Sequence, residues 1–283
     1  DDTVTGGAGA DSIQGSEGAD TIDGGDDDDS SLHGGDPDLE YLATPSWVAY
    51  HLKAYSGDSD YAPGWKRPKD WYRLPLFDVE REYIQTGKRL DDSYDGVGRL
   101  FNRGHLAQRA DMNRISPETG CNSHVFANAV PQMATMNQGI WLGLENFISG
   151  LSNAKGEVWV ASGPIYSSRL RFIGEASKDE IPVAIPDALW KTVTWVENGN
   201  LQWRAWIYPN VSASSMPAYR SGKCQRDKKY RHQGFLVSLR EIQEKTGLTL
   251  LPEFTGDIRD EILDFKHRRM PDLDEQFKVG SCS

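Results

Sequence analysis

The sequence predicts an α+β domain with a central antiparallel sheet flanked by helices, preceded by a short segment of strand-forming repeats. Three observations carry that expectation. A nine-residue repeat is confined to the first forty residues, strand and helix patterns follow one another without strict alternation, and apolar residues recur at helical spacing from Ile140 to Leu151.

The repeat comes first in the chain. Asp2, Asp11, Asp20 and Asp29 are nine residues apart, and Val4, Ile13 and Ile22 each follow an Asp by two. Gly6 to Gln14 fits the nonapeptide G-G-x-G-x-D-x-U-x in full, the next unit keeps Gly18, Asp20 and Ile22, and the third degenerates into Asp26-Asp27-Asp28-Asp29 with Ser31 at the apolar position. Glycine permits the tight turns, the aliphatic residue of each short strand points inward, and each Asp offers a hard oxygen. The segment resembles the RTX calcium-binding β-rolls. That resemblance implies structural Ca²⁺ at Asp11, Asp20 and Asp29. A flexible acidic linker is the competing reading.

Gly34-Gly35-Asp36-Pro37 marks the boundary, dividing the chain into a repeat segment, 1–36, and a larger domain, 37–283. Charge divides with it. The net charge is −11, but residues 1–40 hold 13 Asp or Glu and no Lys or Arg, leaving 31 basic against 29 acidic side chains in the rest. The larger domain is therefore neutral enough to approach phosphate. A hydrophobic content of 38% with nine Trp suits a globular core, and no apolar run reaches transmembrane length, which argues against membrane insertion. Asp1-Asp2 opens the chain without a charged-then-apolar leader, consistent with a removed leader or with a fragment of a longer protein.

Within the larger domain, Glu157 to Gly163 reads as a buried strand running into a turn. Lys191–Val196 and Leu201–Tyr208 read as two strands of a hairpin closed by Glu197-Asn198-Gly199-Asn200. Leu239 to Thr246 reads as a helix stopped by Gly247. Ile140, Leu144, Phe147, Ile148 and Leu151 form one helical stripe, with Asn137, Trp141 and Glu145 as a second ridge beside it. Asn137 then stands at the helix start, where it serves either as an N-cap or as a polar group reaching into a cleft.

The densest chemical signal runs from Phe101 to Glu145. It contains Asn102-Arg103-Gly104-His105, then Ala127-Asn128-Ala129-Val130-Pro131-Gln132, then Asn137-Gln138-Gly139-Ile140-Trp141 with Glu145 four residues on. These motifs resemble the ββα-metal nucleases, the DNA/RNA non-specific endonucleases of the Serratia nuclease and endonuclease G type. Further segments extend the likeness over about residues 44 to 283: Ser46 to His51 as the opening strand, Ser162-Gly163-Pro164-Ile165-Tyr166, Ile185 to Lys191 in the pattern I-P-x-x-x-W-K, and Glu241 to Leu248.

The resemblance implies a role for each residue. His105 acts as general base on a water that attacks phosphorus, a task suited to a side chain with an ordinary pKa of ~6.5. Asn137 is the one direct protein ligand of a hydrated Mg²⁺, with Mn²⁺ as a substitute, since Mg²⁺ keeps much of its water. Glu145 orients a water of that ion. Arg103 contacts the phosphate or the developing charge, Asn128 holds His105 or the substrate, and Arg67 binds phosphate with Lys66 and Arg73 as competitors. The products carry a 5′-phosphate.

Two positions depart from the family. Asn102 replaces the usual Asp, whose carboxylate bears on the orientation of His105 and the hold on metal waters, and is read as a substrate-binding variant rather than a dead site. Ser149 stands where the bacterial type has a phosphate-binding Arg, and Arg99, Arg109 and Arg114 are candidates to replace that charge. His124 reads as a packed histidine rather than a second base. The basic run Lys223, Arg226, Lys228, Lys229 and Arg231 is either a solvated loop or a contact to nucleic acid.

Cys121, Cys224 and Cys282 allow at most one intrachain bridge. A Cys224–Cys282 disulfide would tie down the C-terminal tail, against the alternative of three reduced thiols. Together with the calcium-type repeat this predicts a secreted protein. The expected function is a magnesium-dependent endonuclease acting on DNA and RNA. Two other classes remain beside it: a nucleic-acid-binding module silenced at Asn102, and a calcium-dependent matrix or adhesion protein. Strand preference and oligomeric state are not encoded in these motifs.

Overall fold

The computed structural model describes residues 3–5, 12–14, 21–23, 31–34, 42–55, 71, 92–175, 180–212, 214–215 and 231–277. Four short strands lie in the repeat segment: β1 (Thr3–Thr5), β2 (Ser12–Gln14), β3 (Thr21–Asp23) and β4 (Ser31–Gly34). β1 pairs with β3 and β2 with β4, both parallel, so each strand joins the one two units away. Val4 aligns with Ile22, as the repeat predicts. The degenerate last unit shifts by one residue: Leu32, not Ser31, aligns with Ile13.

Beyond the repeats the chain forms β5 (Trp47–Lys53), β6 (Phe101–His105), α1 (Arg109–Ile115), α2 (Pro117–Asn122) and β7 (Ala129–Met133). There follow α3 (Leu142–Lys155), β8 (Glu157–Ile165), β9 (Phe172–Ile173), β10 (Val183–Ala184), β11 (Ala188–Glu197) and β12 (Asn200–Pro209). α4 (Leu239–Thr246) and α5 (Gly256–Asp264) complete the order. The main sheet runs β12-β11-β8-β5-β4-β2 and is antiparallel from β12 to β4. β4 lies against β5, with Leu32 opposite Ala49, so the repeat segment continues the sheet of the larger domain.

Local chemistry accounts for these elements. β11 and β12 are joined at Asn198 and Gly199, both with positive φ (53° and 75°), the backbone of a tight turn matched to strand twist. α4 opens with a reciprocal cap, Ser238 accepting from the Glu241 N–H and Glu241 from the Ser238 N–H, and ends at Gly247 in the left-handed region. Both agree with the sequence pattern.

The sheet is covered on both faces. Val48, Tyr50, Leu52, Val158, Val160, Leu189 and Val193 meet Ile140, Leu144, Ile148 and Leu151 of the α3 segment, all buried in one cluster. Each such aliphatic side chain contributes about 1.5–3 kcal/mol of transfer free energy. On the other face Trp190 and Ala205 pack with Leu239, Ile242 and Leu263 from α4 and α5. Of the nine Trp, residues 141, 190, 195 and 206 are fully buried. Among the described residues no helix is long and apolar enough to cross a membrane.

Candidate active site

β6 and β7 form a separate antiparallel ribbon that sets Asn102 opposite Gln132 and His105 opposite Ala129. Directly after β7 the chain enters a helical segment, kinks at Gly139, and continues as α3. Two strands and a helix thus carry the whole Phe101–Glu145 signal. Gly104 is required by close approach, since a Cβ there would collide with the side chain of Gln132, which is fully buried.

Asn137 has helical dihedrals (φ −56°, ψ −52°) and closes the short helical turn Ala134–Met136 after β7, so it is not an N-cap. Its Nδ2 donates to Asn102 Oδ1 at 3.1 Å, and Gln138 Nε2 donates to the same oxygen at 2.9 Å. The strand and the helix are joined at this point. Of the expected ridge, Trp141 and Glu145 remain neighbours, Trp141 acting on the Glu145 carboxyl, while Asn137 lies on the far side of a kink at Gly139. Gly139 (φ −111°, ψ −106°) departs from helical dihedrals, and the kink there breaks the regular 100° advance between Asn137 and Trp141. Asn137 stays half-exposed while Trp141 and Glu145 are buried.

His105, the last residue of β6, is half-exposed. Its ring lies 4.7 Å from Trp71 and 5.0 Å, edge-on, from His124. His124 is itself buried, with Nδ1 3.4 Å from the Gly120 carbonyl, as a packed histidine should be. Arg103, two residues before His105 and on the same side of the strand, lies over the Tyr94 ring at 4.8 Å.

The backbone after His105 is held from both sides. Asn128 Oδ1 accepts from the Ala107 N–H at 2.8 Å, and its Nδ2 donates to the Ala107 and Ser123 carbonyls at 3.0 and 2.9 Å. The Asn128 carbonyl accepts from the Leu106 N–H at 3.0 Å. Asn128 is buried and its amide is occupied by backbone, which leaves it to hold the His105 strand rather than to touch substrate. The Leu106 carbonyl accepts from Ser162 Oγ at 2.9 Å and Lys191 Nζ at 2.8 Å.

Beneath the ribbon lies a buried polar layer. Burial pushes the Glu145 carboxyl up to about 8, with Lys191 opposing the rise and Asp111 adding to it. Burial also raises Asp111, against Arg114 and a hydrogen bond from Ser149. Burial lowers Lys191, while Glu145 and Asp111 favour its charged form. Ser149 is buried and bonded to Asp111, so this position does not face solvent. Nor does Arg114 replace the missing charge in a cleft: its guanidinium binds the Ser149 and Lys53 carbonyls, Ser152 Oγ and Asn153, behind α3.

Arg67, Asp11, Asp20, Asp29, Cys224, Cys282 and the basic run except Arg231 lie outside the described residues. Sequence reasoning missed Gln138, Trp71 and Lys191 as members of this neighbourhood. A signal existed for Lys191. It shares the buried strand face of Leu189, Val193 and Trp195, and a charge in such a period-two series is out of place.

A model of the DNA/RNA non-specific endonuclease family matches residues 38–255. The chain belongs to that family. A second model, the RTX calcium-binding nonapeptide repeat, matches residues 1–30. Human mitochondrial nuclease EXOG is 28% identical over 230 residues, covering 76% of this chain and 55% of that protein. Human mitochondrial endonuclease G is 27% identical, covering 56% and 50%. The Serratia marcescens nuclease is 23% identical, covering 76% and 71%. The chain thus spans about half the length of the EXOG and endonuclease G relatives. A crystal structure of an EndoG/EndoGI complex shares the fold, with a TM-score of 0.57 over 76% of this chain and 82% of that one at 20% identity.

The residues present fit a hydrated divalent cation. Asn137 is half-exposed, and its amide nitrogen is committed to Asn102, which leaves its oxygen as a hard donor at the rim. A single protein oxygen suits Mg²⁺ better than a metal that demands a closed cage.

Proposed function

We propose that this family member is a magnesium-dependent endonuclease hydrolysing the backbones of DNA and RNA without strong sequence preference. The observation that carries the reading is the Asn102–Asn137 contact, which fastens the His105 strand to the helix bearing the cation's ligand. His105 accepts a proton from the attacking water, and the clamp on Leu106 and Ala107 keeps its backbone from shifting as it does so. Asn137 holds Mg²⁺ directly, or Mn²⁺ in its place, and Glu145 acts on it through the hydration shell. When bound, the ion supplies Lewis-acid charge for the phosphate oxygens as negative charge develops there. Arg103, and Arg67 from the preceding segment, bind phosphate. Recognition of backbone rather than base edges gives indifference to sequence, and the products carry a 5′-phosphate.

Asn102 is an active-site variant in this reading, because its oxygen still accepts both amide donors. The repeat segment, 1–36, binds structural Ca²⁺ through Asp11, Asp20 and Asp29, supported by the RTX match and by the pairing of alternate short strands. Calcium-dependent repeats and a Cys224–Cys282 bridge both suit a secreted protein.

The test is digestion of plasmid and RNA with Mg²⁺, with EDTA, and by His105→Ala, all at equal folded protein. The expected result is Mg²⁺-dependent cleavage that is lost in the variant. Salt-sensitive DNA binding with no cleavage under any divalent metal would instead favour a silenced binding module. Function that depends on Ca²⁺ but not on His105 would favour an adhesion protein.

A further inference from the structure

We infer that the loop from Ser167 to Phe172 is a contact surface for an unpaired strand of nucleic acid beside the proposed active site, with Arg169 meeting a phosphate and Leu170 and Phe172 the bases. The inference rests on the nuclease reading for the class of ligand. Ser167-Ser168-Arg169-Leu170-Arg171-Phe172 holds two basic residues and no acid, and all six are exposed. Leu170 is 40% and Phe172 44% accessible. One exposed apolar side chain needs no explanation. Two of them interleaved with arginines on one short loop make a surface that offers apolar and cationic groups together.

The loop is held in shape. The Ser167 N–H donates to Asp187 Oδ2 at 2.9 Å, the Arg171 guanidinium donates to Asp187 Oδ1 at 3.1 Å, and the Arg171 carbonyl accepts from the Ile185 N–H at 2.7 Å. Asp187 thus uses both carboxylate oxygens to fix the two ends, and Arg171 is committed to that anchor. Arg169 is not: among the described residues no acid pairs with it. A surface set before its ligand arrives loses less entropy on binding.

The same bonds give the loop its place. Asp187 follows Pro186, whose carbonyl accepts from Asn210 Nδ2 at 2.9 Å, and that nitrogen also donates to the Pro131 carbonyl at 2.9 Å. Pro131 lies opposite Arg103 in the β6–β7 ribbon. Ile173, next after Phe172, is buried with Phe101 and Ala129 of that ribbon. Phe101, Arg103 and His105 share one side of β6. The loop therefore flanks the ribbon on the side that carries Arg103 and His105.

Chemistry selects the partner. A guanidinium presents a fork of donors to phosphate oxygens. An aromatic ring stacks on the face of a base, and that face is open only where the strand is unpaired. In a duplex the base faces are covered by their neighbours, so the apolar half of the loop gains nothing there.

The experiment measures fluorescence anisotropy of a fluorescein-labelled unpaired oligodeoxynucleotide and of its duplex. It uses the full chain in a His105→Ala background, with Ca²⁺ to occupy the repeats, over a range of salt. Arg169→Ala is expected to weaken the unpaired strand and to flatten the log–log salt dependence by about 0.7, the share of one phosphate contact. Arg169→Lys should keep that slope. Phe172→Ala should weaken the unpaired strand about 5–150-fold, the range for one lost stacking platform, with the slope and the duplex affinity unmoved, and Phe172→Tyr should retain binding. Unpaired-strand affinities equal to the parent in both Arg169→Ala and Phe172→Ala overturn the inference, as does an equal loss for strand and duplex in Phe172→Ala. Phe172-dependent binding to phosphatidylcholine–phosphatidylserine vesicles, with oligonucleotide affinity unmoved, overturns it too and gives the loop to a membrane surface. Should Phe172→Ala not fold, Arg169→Ala decides, since that side chain is exposed. All these outcomes are read from affinity, whereas the nuclease reading stands or falls on Mg²⁺-dependent cleavage by the wild type.

Discussion

Asn137 and Asn128 sit nine residues apart in one ribbon-and-helix unit and do opposite things. Asn137 is half-exposed and gives its amide nitrogen to another side chain, and its oxygen is the proposed cation ligand. Asn128 is buried and gives both amide atoms to backbone groups. The same contrast separates the rim of the site from the layer beneath it. At the rim, Asn102, His105, Asn137 and Gln138 retain access to solvent, and a change there should alter chemistry with little effect on stability. Below, Asp111, Glu145, Ser149, Ser162 and Lys191 are packed against one another, and a change there should alter folding first. Access to water, rather than residue type, divides the two roles.

The sharpest way to break this division is His105→Ala. A rim residue acting as general base should lose about 10²–10⁴-fold in cleavage rate, with the thermal midpoint unmoved. A large fall in that midpoint would place His105 in the supporting layer instead. Asn128→Ala tests the opposite side. It strands the Ala107 N–H and two carbonyls in the interior and should cost roughly 3 kcal/mol, read from the urea midpoint at constant m. Activity per folded molecule should fall less than in His105→Ala.

The layered picture also predicts a pH dependence remote from the site. His232 is buried with Nδ1 2.9 Å from the Tyr208 hydroxyl, and burial lowers its pKa to about 4. Since the folded value lies below the unfolded ~6.5, its contribution is complete above that value. It is lost as pH falls from there toward about 4. The loss by pH 5 should be about 2 kcal/mol. Glu145, whose folded pKa is raised, acts in the reverse direction, so the comparison of melting curves should be between wild type and His232→Gln. Parallel curves would show that His232 titrates normally.

The smallest expected effect belongs to Asn102→Asp. The acceptor for Asn137 and Gln138 is kept and one negative charge is added beside the proposed cation. Half-saturating Mg²⁺ should drop about tenfold, corresponding to about 1.4 kcal/mol for a charge at a partly solvated site. A rise in the Mg²⁺ requirement would mean that the cation sits away from Asn102.

Much of the domain was legible because its signals are local. The β11–β12 hairpin is written in Asn198-Gly199, the end of α4 in Gly247, and the α3 stripe in Ile140, Leu144, Ile148 and Leu151. The cluster of site residues was legible because a ribbon followed by a helix keeps distant positions of one segment together. Three features escaped. The kink at Gly139 took Asn137 out of the expected ridge. The one-residue slip at Leu32 restored an aliphatic register that Ser31 seemed to end. Lys191 and Trp71 reach the site from segments far away in sequence.

By itself, then, the sequence determined which residue types exist for the chemistry, where the β11–β12 hairpin turns and where α4 ends, because caps, turn residues and hydrophobic period act over a few positions. The tertiary structure decided which of those polar residues meet solvent and which become support: Asn137 against Asn128, and half-exposed His105 against buried Ser149, Glu145 and Lys191. The reason is physical. Burial, and the price it sets on an unpaired charge or amide, depends on what the rest of the chain packs against each group.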